Sequence, residues 1–447
     1  MSQKPSFVAA AVVAALLVLG AGLTIGWFAL QGNRPLLVNA VLDSDRITPN
    51  ADGDSDATAV RYEITRNATV SIYFLTGDGE RHYFRQERRR GTGQYQVLFS
   101  GVVDGYRLPD EITQGEILAR LLQNGTYTWV IEARDDNGAV ETASGPLTIA
   151  DADGALPEMR NYTLDRTRFT PNQDGIDDRV EIQFDLQKEA DVQVYLLRPD
   201  GVRDPIFEKE LTVRPGEPGR HYFDYEGGVD NSETPPPDGT YPIIAFAQDA
   251  EGQKMQVVEE IEIQFGGVPR AYIISPAIGD TFEVNATSIL LCDTLVFTVT
   301  VENDSTTPIR TTGPPPGTVY DSDWNYNTLG WETEAGAWRV AVGYENALSD
   351  YPFRWGLGDA DSLEMIGDDT YLLPGERVSV SGGIRLIGPL GERNPQPVWA
   401  GLIHEDVRIS QVNNRVDPKA ILIEIPDPAR IEPCAAREIP RRVENEN

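Results

Sequence analysis

Four oxygen-bearing side chains alternate along Asn50, Asp52, Asp54 and Asp56, and a second set follows at Asn172, Asp174, Asp177 and Asp178. In a looped backbone this spacing gathers carboxylates and an amide, and calcium takes about six to eight oxygen ligands of that kind. An EF-hand loop is excluded, because Gly53 falls at the fourth position and Arg61, not Glu, at the twelfth. The same residues serve equally as an Asx turn, with side chains accepting from nearby backbone amides ahead of a core strand. A structural Ca2+ at these eight residues and a turn without metal both remain open. Neither would catalyse; an ion here would stiffen its loop.

Later in the chain Tyr320, Trp324, Tyr326, Trp331 and Trp338 interleave with Asp321, Asp323, Asn325 and Asn327. Aromatic faces beside polar groups stack sugars or grip a partner protein. Trp324, Tyr326 and Trp331 are therefore candidate contact residues, whereas Trp338 lies in an apolar strand and belongs to a core. Enzyme signatures are missing: His82, His221 and His404 stand apart, and the sequence has no HExxH, GxSxG, P-loop or GxGxxG. A non-enzymatic chain is expected, with no cofactor beyond the structural calcium of the alternative above. Cys292 and Cys434 suit an exported protein, as one disulfide or as two thiols. Without CxxC or a His/Cys cluster, zinc has no support.

The elements that must position these groups form a repeat. Ile47–Thr48–Pro49–Asn50–Ala51–Asp52–Gly53 returns 122 residues later as Phe169–Thr170–Pro171–Asn172–Gln173–Asp174–Gly175. The downstream halves align at an offset of 114, so the first copy holds eight extra residues. They fall in Arg107–Gln123, where 111–122 reads as a short helix. Otherwise both copies read as period-two strands broken by Gly, Asn and Asp turns, such as Val70–Leu75 before Asp78–Gly79. About 110 residues of this rhythm predict an immunoglobulin-like sandwich. The Trp-rich stretch 270–426 reads as a third, decorated sandwich, with a loosely ordered tail at 427–447.

The Phe/Ile-Thr-Pro-Asn-x-Asp-Gly-x-x-Asp opening, the mid-unit Asp-Gly turn and the closing Gly-Thr-Tyr…Ala-x-Asp-x-x-Gly resemble a known family. It is the immunoglobulin-like domain of the bacterial flagellar hook-capping protein, which recurs in bacterial surface and secreted proteins. The resemblance covers 38–150 and 158–266 and implies a fold, not an activity. Ser55 and Asp177 depart from the motif's usual Asn and leave Asp56 and Asp178 in place. Leu373–Pro374–Gly375–Glu376–Arg377–Val378 is similar to the immunoglobulin-like domain first described in an autophagy receptor. A flagellar role is not expected, since the chain adds a third domain and a membrane segment.

That segment is residues 7–30, which contain no charge. As a helix they would rise ~36 Å, enough to cross a ~30 Å hydrocarbon core. The run exceeds a secretory signal, so an uncleaved anchor is expected, with 1–6 cytoplasmic and the bulk of the chain outside the cell. Net charge is −32, which repels nucleic acid and favours solubility. The expectation is all-β: three tandem immunoglobulin-like sandwiches after one transmembrane helix. It would serve as spacer, scaffold or adhesion module of the cell envelope, with cell-surface protein or glycan partners. A carbohydrate-binding or glycan-processing surface protein is the first alternative. An accessory subunit of an export or surface-appendage machine is the second.

Overall fold

A computed structural model describes residues 34–209, 213–359, 361–426 and 433–440. Among them are strands, turns and two short 3-10 turns, Val229–Asn231 and Gln411–Asn413, and no helix is long and apolar enough to cross a membrane. Residues 1–6 and the expected anchor at 7–30 lie outside the described residues.

Three large buried clusters organise the strands into units. In the first, Leu37–Leu42, Thr58–Ile64 and Gly93–Phe99 form one sheet. The facing sheet is Arg46–Ile47, Val140–Ile149, Gly125–Asp135, Ala68–Leu75 and Arg81–Arg90, in that order across it. Alternate residues point inward, as period two requires, so Val60, Tyr62 and Ile64 meet Val70, Ile72 and Phe74. The Phe74 and Phe99 rings stack between the sheets at 4.2 Å.

The second unit repeats that order. Met159–Leu164, Val180–Leu186 and Gly219–Tyr225 form one sheet. Arg168–Phe169, Asp191–Leu197, Arg203–Ile206, Gly239–Gln248 and Lys254–Ile263 form the other. In both units the chain enters at one pole and leaves at the opposite one. Leu37 lies beside Ile64, itself beside Gly93, whereas Ile149 lies beside Ile47 and Gly125.

The expected helix at 111–122 is corrected. Glu116–Leu121 is a strand, hairpinned with Val102–Asp104 in the stretch by which the first copy is longer. Its other edge pairs with the second unit, Ala119 opposite Lys254, Ile117 opposite Met255 and Glu116 opposite Gln256. A helix this short is marginal alone, and an open sheet edge satisfies the same backbone groups while burying Ile117 and Leu121. Tertiary context overrides local propensity here.

Side chains lock the same junction. Gln253, fully buried, accepts from the Leu121 amide at 3.2 Å and donates to the Ala155 carbonyl at 2.7 Å. Lys188 Nζ lies 2.7 Å from Glu251, 2.9 Å from Asp249 and 3.0 Å from Asp153. Gln114 exchanges two hydrogen bonds of 3.0 Å with the Tyr162 backbone.

The third unit packs Ala271–Ile274, Thr294–Asn303, Arg377–Arg385 and Val319–Asp321 against a second sheet of five strands. That second sheet comprises Ser288–Leu290, Val416–Glu424, Gln396–His404, Trp338–Tyr344 and Phe353–Gly356. A small sheet of Ile309–Thr311, Asp369–Leu372 and Glu364–Ile366 stands beside them. Trp355 is wholly buried at the centre, and a Cβ on Gly382 would come within 2.4 Å of its ring, so only glycine fits there. Cys292 and Cys434 form a disulfide with a Cα separation of 5.5 Å. Part of the tail expected to be loose is thereby held against the unit, where Arg385 also donates to the Ala435 carbonyl at 2.8 Å.

Candidate functional site

The two aspartate motifs fold into the same loop. In the first, the Asp56 carboxylate accepts from the amides of Asn50 and Ala51 at 3.1 Å and of Gly53 at 2.8 Å. Asn50 Oδ1 accepts from the Asp52 amide and Asp52 Oδ1 from the Asp54 amide. In the second, Asp178 accepts from Asn172, Asp174 and Gly175, while Asn172 and Asp174 accept from the amides two residues on. Left-handed backbone recurs at matching places, Ala51, Gly53 and Ser55 against Gln173, Gly175 and Asp177. These carboxylates face backbone amides, the geometry of a turn. Among the described residues no group of three or more His, Cys, Asp or Glu is placed to hold a metal ion.

Surroundings separate the copies. Asp52 and Asp54 are exposed, whereas Asn172 and Asp174 are 3% and 4% exposed because the third unit covers them. Arg310 donates through Nε to the Asp174 carbonyl at 2.6 Å and through Nη2 to the Ala335 carbonyl at 2.7 Å. Tyr371 donates its hydroxyl to Asp174 Oδ2 at 3.0 Å. His404 Nε2 donates to the Gln173 carbonyl at 2.8 Å while its ring stacks on Trp338 at 4.4 Å. A Cβ on Gly175 would lie 2.1 Å from the Ala335 carbonyl oxygen, so the motif's glycine permits this close approach.

Burial sets the protonation of the junction. His404 Nδ1 is buried without a partner, and desolvation pushes the imidazole down to about 4, so it is neutral at pH 7. Burial also raises Asp174 and, more strongly, the Tyr371 hydroxyl. Asp178 is pushed up to about 6 by burial and by the Asp174 charge beside it. A cavity of about 370 Å³ lies next to these groups, lined by Asn172, Asp174, Asp177, Asp369 and Tyr371 among others.

The three aromatic candidates lie on the third unit and engage their own chain. Trp324 and Trp331 are half-buried against the core, with Arg437 5.9 Å over the Trp324 ring. Arg354 sits 4.2 Å over Tyr326. The sequence reading missed Arg310, Tyr371 and His404, far apart in sequence and without a motif. It missed also a polar cleft of about 490 Å³ floored by Tyr351 and Trp399, with Arg415 4.7 Å over the indole. No spacing rule flags either group.

No family model and no curated protein matches this chain. Solved structures similar to it include the Ca2+-stabilised adhesin with which an Antarctic bacterium reaches out and binds ice. That likeness has 12% identity over 79% of this chain and 74% of that one, with a TM-score of 0.21. Another is a tetra-tandem repeat in the extending region of a large adhesion protein, with 13% identity, 81% and 79% coverage and a TM-score of 0.16. A third is a Bacteroides ovatus glucan-utilisation protein bound to a mixed-linkage heptasaccharide, with 10% identity, 87% and 68% coverage and a TM-score of 0.16. At these scores the likenesses carry no functional conclusion. None of them places the chain in the hook-capping family.

Proposed function

We propose that this chain is a non-enzymatic cell-envelope spacer: three immunoglobulin-like units, anchored by residues 7–30, that hold a binding surface away from the membrane. The observation that carries it is the second aspartate loop, which has become a plug seated in the third unit through Arg310, Tyr371 and His404. With the shared sheet at the first junction, both boundaries are built from oriented hydrogen bonds rather than from free linkers. Pole-to-pole passage of the chain through the first two units suits extension. The third unit is the distal one and would make the adhesive contact, with surface protein or glycan. No cofactor is required; a Ca2+ in the exposed loop of the first unit would add stiffness only.

Limited proteolysis of the intact protein tests the spacer. Ordered junctions predict that residues 150–158 and 264–270 resist cleavage as long as the unit cores do. Rapid cutting at either boundary while the units survive would contradict it.

A further inference from the structure

The entry pole of the first unit gathers six arginines, Arg34, Arg66, Arg88, Arg89, Arg90 and Arg134, in an otherwise acidic chain. Four segments meet there: Arg34 with Pro35, the turn Thr65–Arg66–Asn67, the turn from Arg88 to Gly93, and the turn after Arg134. Hydrogen bonds tie them together. Thr65 Oγ1 donates to the Pro35 carbonyl at 2.7 Å, Arg66 Nη1 to the Arg34 carbonyl at 3.0 Å, and Thr92 Oγ1 to the Thr65 carbonyl at 3.3 Å. Strand register sets Arg88, Arg89 and Arg90 opposite Val70, Thr69 and Ala68, and Arg134 opposite Thr69 on the other side.

Both acids at the tip are already neutralised. Asp135 pairs with Arg66 at 2.9 Å and Asp136 with Arg89 at 3.2 Å. Arg134 lies 3.7 Å from Glu132, one step back along its strand. Arg34, Arg88 and Arg90 form no ion pair among the described residues; Arg90 lies over the Tyr95 ring at 5.1 Å. Three glutamates also lie near this pole, Glu141 accepting from the Leu37 amide at 2.9 Å, Glu63 from Gln94 at 3.4 Å, and Glu87 beside Arg88, while the exposed Asp43, Asp45, Asp52 and Asp54 occupy the opposite pole.

Chain length says what this pole faces. Only Gln31, Gly32 and Asn33 separate Leu30 from Arg34, a reach of about 14 Å even when extended. With residues 7–30 across a bilayer, the pole is held against the headgroup layer, within about one Debye length of its charge. Long translocated domains cross regardless of such arginines, so they do not oppose an outward orientation.

We propose that this arginine collar docks the first unit onto anionic phospholipid headgroups, setting the rod's angle to the membrane. The inference rests on reading residues 7–30 as an anchor. It is tested with the full-length protein in vesicles of phosphatidylcholine, with or without phosphatidylglycerol, by hydrogen exchange. Anionic lipid should slow exchange across residues 86–93 by about fivefold, and high salt should abolish the slowing. The double variant Arg34→Glu/Arg88→Glu should lose it and Arg34→Lys/Arg88→Lys should keep it, which separates charge from misfolding. Equal exchange in both lipids, with the protein retained through a carbonate wash, overturns the collar alone. Release by that wash overturns the anchor and the collar together.

Discussion

Tyr371 and Asp174, 197 residues apart in sequence, share a hydrogen bond of 3.0 Å between two buried groups on different β units. The carboxylate is desolvated there and receives that hydroxyl in place of water. Tyr371→Phe removes the donor without changing shape. It should cost about 1–3 kcal/mol at the junction, the price of an unsatisfied buried acceptor. The expected readout is a lower melting transition for the second and third units, with the first unchanged.

The duplicated motif supplies an internal control. Asp52→Ala, on the exposed loop, should change stability by no more than about 0.5 kcal/mol. Asp174→Ala, at the same place in the other copy, should cost roughly 2–3 kcal/mol. Denaturant unfolding followed by tryptophan fluorescence would show the difference; equal costs would mean that the third unit does not depend on the plug.

Acid should loosen this boundary through His404. Its folded-state pKa of about 4 lies below the ordinary 6.5, so the neutral ring's contribution is complete above pH 6.5 and is lost as pH falls toward 4. Between pH 7 and pH 4.5 the loss through His404 alone should reach about 2–3 kcal/mol, and the buried carboxylates beside it offset much of that. Asp178 acts in the opposite sense: its folded-state pKa is raised to about 6, so it favours the folded state more as pH falls through that value. His404→Gln should therefore remove the acid loss, and Asp178→Asn should steepen it, in melting curves taken across this range.

Behind His404, Glu405 holds two cations. It lies 3.2 Å from the wholly buried Arg339 and 2.7 Å from Arg354. Glu405→Gln leaves Arg354 without its counter-charge and the buried Arg339 with only Glu334, 4.0 Å away, and should cost about 3 kcal/mol. Calorimetry should place that loss in the third unit.

Much of the fold was legible because the sequence states it twice. Period-two patterning places the strands, and the paired Pro-Asn-x-Asp-Gly segments predict two copies of one loop, which have the same wiring in space. The strand Glu116–Leu121 was illegible because the partner of its outer edge, Lys254–Ile263, lies in the other copy, where no local pattern points to it. The separate fates of Asp52 and Asp174 were hidden for the same reason. Their immediate neighbours are alike, and the difference comes from Arg310, Tyr371 and His404, contributed by remote strands. Trp324 and Trp331 stood out by type and spacing, yet a tryptophan read in sequence carries no sign of which ring faces already have partners.

Rigidity across both junctions is the claim most open to direct measurement. Spin labels carried by unnatural residues at Thr142 and Met365, which spare the native disulfide, would report the distance between the first and third units by double electron–electron resonance. A single distribution as narrow as that of a pair within one unit is predicted. A broad or multi-peaked distribution in the unmodified background would show hinged units and contradict the spacer.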